Sequence, residues 1–78
     1  MDMKYITVTS IGGSTWSFRK DRIEMVINRR KFKEEELKNI PELNGLEKCA
    51  IIRLIGLDRE YYCKDTYEAI MKLIEEEG

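Results

Sequence analysis

The stretch from Ala50 to Glu75 constrains the fold most, because its pattern is typical of a strand, a turn, a second strand and a helix. Apolar residues alternate from Ala50 onward, which predicts a strand, and Gly56-Leu57-Asp58 predicts the turn that ends it. The second strand is predicted at Glu60 to Lys64. A two-stranded hairpin is only marginally stable alone, so we expect the helix to cover its apolar face.

Both faces of the first strand in this unit are partly apolar. One face carries Ala50, Ile52 and Leu54, and the other carries Ile51, Arg53 and Ile55. A strand of this kind needs cover on both sides, from its own chain or from a partner. We therefore expect it to lie in the centre of a sheet.

Three further strands are predicted upstream: Lys4 to Thr9, Thr15 to Arg19 and Ile23 to Asn28. The first two are joined through Gly12-Gly13, because paired glycines adopt positive φ without strain. In the third strand, the alternation predicts that Ile23, Met25 and Ile27 face the core.

The segment from Arg29 to Leu46 indicates an excursion between strands. Glu34 to Asn39 predicts one or two helical turns, which Pro41 ends, and Asn44-Gly45 signals a turn. We expect four apolar residues to hold the excursion against the sheet: Phe32, Leu37, Ile40 and Leu43.

A capping box, Asp65-Thr66-Tyr67-Glu68, precedes the C-terminal helix. We predict that Asp65 is the N-cap and that Glu68 reaches back to it. The residues Tyr67, Ile70, Met71 and Ile74 then follow the spacing of one helix face.

Together these patterns predict an α+β fold: a small, strongly curved antiparallel sheet of about five strands, one C-terminal helix, and a short helical or loop excursion in the middle. The aromatic residues Trp16, Phe18, Tyr61 and Tyr62 could form either a ligand-binding surface or part of the core. We favour the core for the first three and expect Tyr62 to be the most exposed.

A chain of 78 residues is expected to form one domain, residues 1–78, with a thin margin of stability. One short helix can cover only one side of the sheet. The apolar groups Ile51, Ile55 and Tyr62 on the other side must meet either the excursion or a second copy of the chain. We favour a homodimer, because a two-fold pairing covers the same patch on both copies.

Charge is balanced overall but not along the chain, whose net charge is −1. Arg19 to Lys33 contains seven basic and two acidic residues, a net charge of +5, whereas the chain from Glu34 onward contains six basic and twelve acidic residues, a net charge of −6. The candidate anion-binding residues are Arg29, Arg30, Lys31 and Lys33, with Phe32 available to stack on a base. The alternative, which we favour, is an exposed loop whose charges pair with Glu34, Glu35 and Glu36.

Asp21 and Glu24 could bind a cation or act as an acid/base pair, but we favour a turn aspartate and an exposed strand glutamate, because no histidine, nucleophile or phosphate loop accompanies them. The chain has no histidine, so its serines lack the usual triad partner, and Gly12-Gly13 is not followed by a helix as a phosphate loop requires. Cys49 and Cys63 are too far apart for a CxxC pair, and we expect buried free thiols. We therefore predict no catalytic residue, no metal site and no cofactor.

The order of these motifs resembles the small flagellar and swarming-motility proteins of the FlbD-like family. The matching positions are Asp21, Ile23, Glu24, Ile52, Leu54, Gly56, Tyr61, Thr66, Glu68 and Ile70. The segment from Arg29 to Glu47 is longer than that family usually carries, and the second turn is one residue longer. The resemblance implies a non-enzymatic accessory protein.

These observations predict a non-enzymatic small bacterial accessory or protein-interaction module, related to motility if the resemblance reflects function. Its expected partners are a second copy or another protein. The alternative is a nucleic-acid-binding regulator that uses Arg19 to Lys33. No apolar run approaches the length of a signal peptide or a membrane span, so we expect a cytoplasmic protein.

Overall fold

The computed structural model describes residues 4–76 of the chain. Its strands and α-helices are β1 (Tyr5–Thr9), β2 (Thr15–Arg19), β3 (Ile23–Arg29), α1 (Glu34–Asn39), β4 (Cys49–Leu54), β5 (Glu60–Cys63) and α2 (Tyr67–Glu75). Short 3-10 turns occupy Lys20–Arg22 and Pro41–Leu43. The α+β class, the C-terminal helix and the short helix in the excursion are confirmed.

The strands form two antiparallel sheets, so the prediction of one continuous five-stranded sheet is wrong. β1 pairs with β2, while β3, β4 and β5 form the other sheet with β4 in the centre, as predicted. The 3-10 turn Lys20–Arg22 separates β2 from β3, and these consecutive strands do not pair. The strong curvature expected from the sequence stays a prediction.

The two sheets meet at one corner of the molecule. Ser10, just after β1, forms an isolated antiparallel bridge with Cys63 at the end of β5. The backbone N–H of Thr9 donates to the Asp65 carboxylate, with 2.6 Å between nitrogen and oxygen. The end of β1 is therefore held both to β5 and to the residues that begin α2.

A β-bulge in β3 decides which of its side chains face the main core. The register with β4 shifts between Ile23 and Met25, which makes Glu24 the extra residue. One inserted residue reverses the facing of every residue after it. Ile23 and Val26 pack against the core, whereas Met25 and Ile27 point to the opposite face. The prediction that Met25 and Ile27 face the core is wrong for this reason.

The main core lies between α2, the β1–β2 hairpin and one face of the three-stranded sheet, which we call the core face. Its buried members are Ile6, Val8, Phe18, Ala50, Ile52, Cys63 and Ile70. The Tyr61 ring packs edge-on against Trp16 and Phe18, at centroid distances of 5.3 and 5.1 Å. The predicted core role of these three aromatic residues is confirmed.

The N-terminus of α2 corrects the predicted cap. Thr66, not Asp65, is the N-cap residue, and its hydroxyl oxygen accepts a hydrogen bond from the Ala69 N–H at 3.1 Å. The Asp65 carboxylate accepts from Thr9 instead. The predicted capping residues are present, but the Thr9 N–H, which is distant in the chain, takes the carboxylate of Asp65.

Candidate interaction surface

The second face of the three-stranded sheet lies opposite the core face. In its middle row, Ile51 of β4 pairs with Ile27 of β3 and with Tyr62 of β5. The hairpin and α2 contribute to the core on the other side. Among residues 4–76, only the segment 30–48 remains to cover the second face, and we call this segment the crossover.

The crossover covers the half of the second face that is nearest the start of β4. Ile51 and Leu43 are fully buried and Cys49 is 4% exposed, although none of the three belongs to the main core. The 3-10 turn Pro41–Leu43 turns Leu43 inward, and the backbone N–H of Leu43 donates to the Ile40 carbonyl at 3.0 Å. Leu43 is thus the main apolar anchor; Phe32, Leu37 and Ile40 are half-buried.

Glu36 of α1 joins the crossover to the sheet through polar contacts. Its Oε1 atom accepts from Arg29 Nη2 at 2.6 Å and from the Lys33 N–H at 3.0 Å, and its Oε2 accepts from the Tyr62 hydroxyl at 2.8 Å. The Glu36 side chain is only 16% exposed. The sequence analysis treated Glu36 only as one of three acids that neutralise the basic loop. Its position as the third residue of α1 could have predicted the bond to Lys33, because a glutamate at that position often accepts from the N-cap N–H.

The contacts between Glu36 and Tyr62 help to lower the pKa of Glu36 and to raise the pKa of Tyr62. The hydrogen bond from the Lys33 N–H, followed by those from Tyr62 and by the charge of Arg29, lowers the pKa of Glu36 below 4.5 despite partial burial. Burial, together with the bond to Glu36, raises the pKa of Tyr62. At neutral pH, Glu36 is therefore ionised and Tyr62 is a neutral donor.

The three residues predicted to form an interaction surface end in different environments. Ile51 is fully buried within its own chain and presents no surface, which corrects that part of the prediction. Tyr62 is half-buried with its hydroxyl bonded to Glu36. Ile55 is 48% exposed, so it alone of the three remains available. The crossover explains the difference, because it reaches Ile51 and Tyr62.

An uncovered apolar area remains at the other end of the second face, and we call it the open end. It comprises Met25 and Arg53, which pair across β3 and β4, together with Ile55 and Leu57 in the turn that follows β4. The three apolar residues are 45–50% exposed. The Arg53 Nε atom is shielded from solvent and has no hydrogen-bond partner among the described residues. Its Nη2 lies 3.5 Å from an oxygen of Asp58, whose side chain is fully exposed. The open end thus combines apolar side chains with a partly exposed guanidinium.

The outer edge of β3 borders the open end. β3 is hydrogen-bonded to β4 on one side only, and residues 4–76 provide no backbone partner on its other side. The outer edge of β5 differs, because Ile11 N–H donates to the Tyr62 carbonyl at 3.1 Å and Lys64 N–H donates to the Thr9 carbonyl at 2.7 Å. Within the described part of the chain, the β3 edge alone is therefore unpaired along its whole length.

The predicted anion-binding residues do not form one basic surface with the rest of the Arg19–Lys33 segment. Arg29 is neutralised by Glu36, while Arg30, Lys31 and Lys33 are exposed in the first residues of the crossover. Arg19 pairs with Asp21 at 2.9 Å beyond the far end of β3. Seven strand residues separate the two basic clusters, a distance of roughly 20 Å at the usual rise per residue. Of the three expected pairings with Glu34, Glu35 and Glu36, only Glu36 forms an ion pair in the described chain.

The two cysteines are buried free thiols, as predicted. Burial raises the pKa of Cys49, and burial raises that of Cys63 to about 12. Both thiols therefore stay protonated at neutral pH, which disfavours a nucleophilic role. Within residues 4–76, no group of three or more metal-ligating side chains is assembled, and no helix has the length and apolarity to span a membrane.

Comparison with protein-family models, with curated proteins and with solved structures finds no match to this chain. The resemblance to the FlbD-like family therefore stays a prediction.

Proposed function

We propose that this chain is a non-enzymatic protein-interaction module that associates with a second copy of itself through the open end and the adjacent edge of β3. The single observation that carries the proposal is that three large apolar residues at the open end, Met25, Ile55 and Leu57, are each 45–50% exposed. Large apolar side chains left exposed at one end of a small domain are typical of an interaction site.

The Arg53 side chain gives a second reason. The Arg53 side chain is 33% exposed, so the exposed part of its guanidinium can donate to an acceptor on a bound protein while its apolar neighbours are covered. The proposal thus accounts for both the apolar and the polar groups of the open end.

The chemistry of the cysteines supports a non-enzymatic role, because both thiols are buried and protonated. The FlbD-like resemblance favours an accessory role in the bacterial cytoplasm, linked to motility. The nucleic-acid alternative has less support, because the basic residues of Arg19 to Lys33 are divided between the two ends of β3.

The test is the molar mass from light scattering after size exclusion, at protein concentrations from about 10 to 200 micromolar. We expect a dimer mass for the natural chain and a monomer mass for Met25→Lys. The matched control is Tyr5→Lys, which places the same charge on a residue that is 54% exposed but lies in the hairpin. A monomer mass for the natural chain throughout this range, or equal behaviour of the two variants, would contradict the proposal.

A further inference from the structure

The free edge of β3 is suited to pairing with another strand, and this inference rests on the proposed self-association. We propose that two copies pair their β3 strands antiparallel about a two-fold axis at Ile27, which joins two three-stranded sheets into one of six strands. An unpaired edge offers a row of N–H and C=O groups to such a strand.

Length and side chains distinguish β3 from the outer edges of the hairpin, of which that of β1 is also engaged by β5 at Thr9. β3 has seven residues, whereas β1 and β2 have five each. The outward side of the hairpin is polar, with Thr7 and Ser17 hydrogen-bonded to each other at 3.1 Å. The middle of β3 is Met25-Val26-Ile27, which carries no charge to repel a second strand.

Symmetry restricts the register of the pairing. Directly opposite residues of an antiparallel pair point to the same face of the sheet. A two-fold axis perpendicular to the sheet must therefore pass midway between the two copies of one residue. If the axis lay between two neighbouring residues instead, opposite residues would point to different faces of the sheet. The bulge at Glu24 limits the regular part of β3 to Met25–Arg29. The centre of that part is Ile27.

The charges that flank β3 agree with this register and favour a second copy as the occupant. Just beyond the two ends of Met25–Arg29, Glu24 of one copy and Arg30 of the other then lie at the same end of the paired strands, twice in the dimer. In the Ile27 register the half-exposed Met25 lies opposite Arg29, whose aliphatic stem can cover it.

Charge reversal tests the register. Glu24→Arg should weaken dimerisation about tenfold, because two attractive cross-strand pairs become repulsive. Arg30→Glu should weaken it similarly, and the double variant Glu24→Arg/Arg30→Glu should restore the affinity to within about threefold of the natural chain. Glu35→Arg is the control, since it makes the same charge change at an exposed residue of α1. Thermal unfolding of each variant verifies that the fold is retained.

Amide hydrogen exchange provides a second readout that needs no variant. Raising the protein concentration should protect alternate amides within Met25–Arg29, and no others in the sheet to the same degree. A dimer that Met25→Lys disrupts but the charge reversals leave unchanged would overturn the strand pairing while the proposed function stands. Failure of the double variant to recover, or concentration-dependent protection confined to β5 or α2, would also overturn it. A monomer at every concentration would refute both proposals.

Discussion

Replacing Leu43 with alanine tests whether the crossover is a packed part of the fold. Leu43 is fully buried although it lies outside the main core. Truncating a buried leucine to alanine usually costs about 2–5 kcal/mol, from lost burial and from the cavity that remains. A chain of 78 residues has a total stability of about 4–12 kcal/mol on the usual per-residue scale. Leu43→Ala should therefore remove a large fraction of the stability.

The assay is thermal unfolding followed by circular dichroism, with Leu46→Ala as the matched control. Leu46 lies three residues further along the same segment but is 44% exposed. A loss of about 3 kcal/mol should lower the Tm of Leu43→Ala by about 12–24 °C, since each kcal/mol shifts Tm by about 4–8 °C in a domain of this size. A surface change is usually worth about 0.5 kcal/mol or less, so Leu46→Ala should shift Tm by no more than about 4 °C.

The unfolding temperatures of Leu43→Ala and Leu46→Ala can refute the packing of the crossover against the sheet. If both variants unfold at the temperature of the natural chain, the crossover contributes nothing to the cooperative fold. The second face would then be uncovered in solution, and Ile51 would again be available as an interaction residue. A large effect at Leu43 alone supports the packing described above.

Two further predictions concern polar contacts. Thr66→Ala should lower stability by about 0.5–2 kcal/mol through loss of the N-cap, measured by urea denaturation, and an unchanged midpoint would mean that the hydroxyl does not cap α2. Because the folded-state pKa of Glu36 is lowered, its contribution is present above the unfolded-state pKa and is lost as pH falls through the folded value. As the pH falls from about 5 to about 3, the free energy of unfolding of the natural chain should thus decrease more than that of Glu36→Gln, whose neutral side chain does not titrate. Equal decreases for the two proteins would contradict this role of Glu36.

Local patterns in the sequence were sufficient to predict most of the elements. The helix at Glu34–Asn39 and the central position of β4 followed from period and from the two apolar faces of one strand. The core role of Trp16, Phe18 and Tyr61 followed from their spacing. These features depend on residues close in the chain, whose periodicity is visible without knowledge of the fold.

Three features depended on residues that are distant in the chain and were decided by the tertiary structure. Asp65 bonds to Thr9 rather than capping α2, because the corner between β1 and β5 brings that N–H within reach. The bulge at Glu24 turns Met25 away from the core, and the alternation of apolar residues in the β3 sequence does not indicate an extra residue. Ile51 is covered by its own chain because the crossover folds back over the sheet, where Glu36 meets side chains of β3 and β5. The periodicity of the sequence shows which apolar residues share a face of a strand or helix. The tertiary structure determines which other part of the chain covers that face.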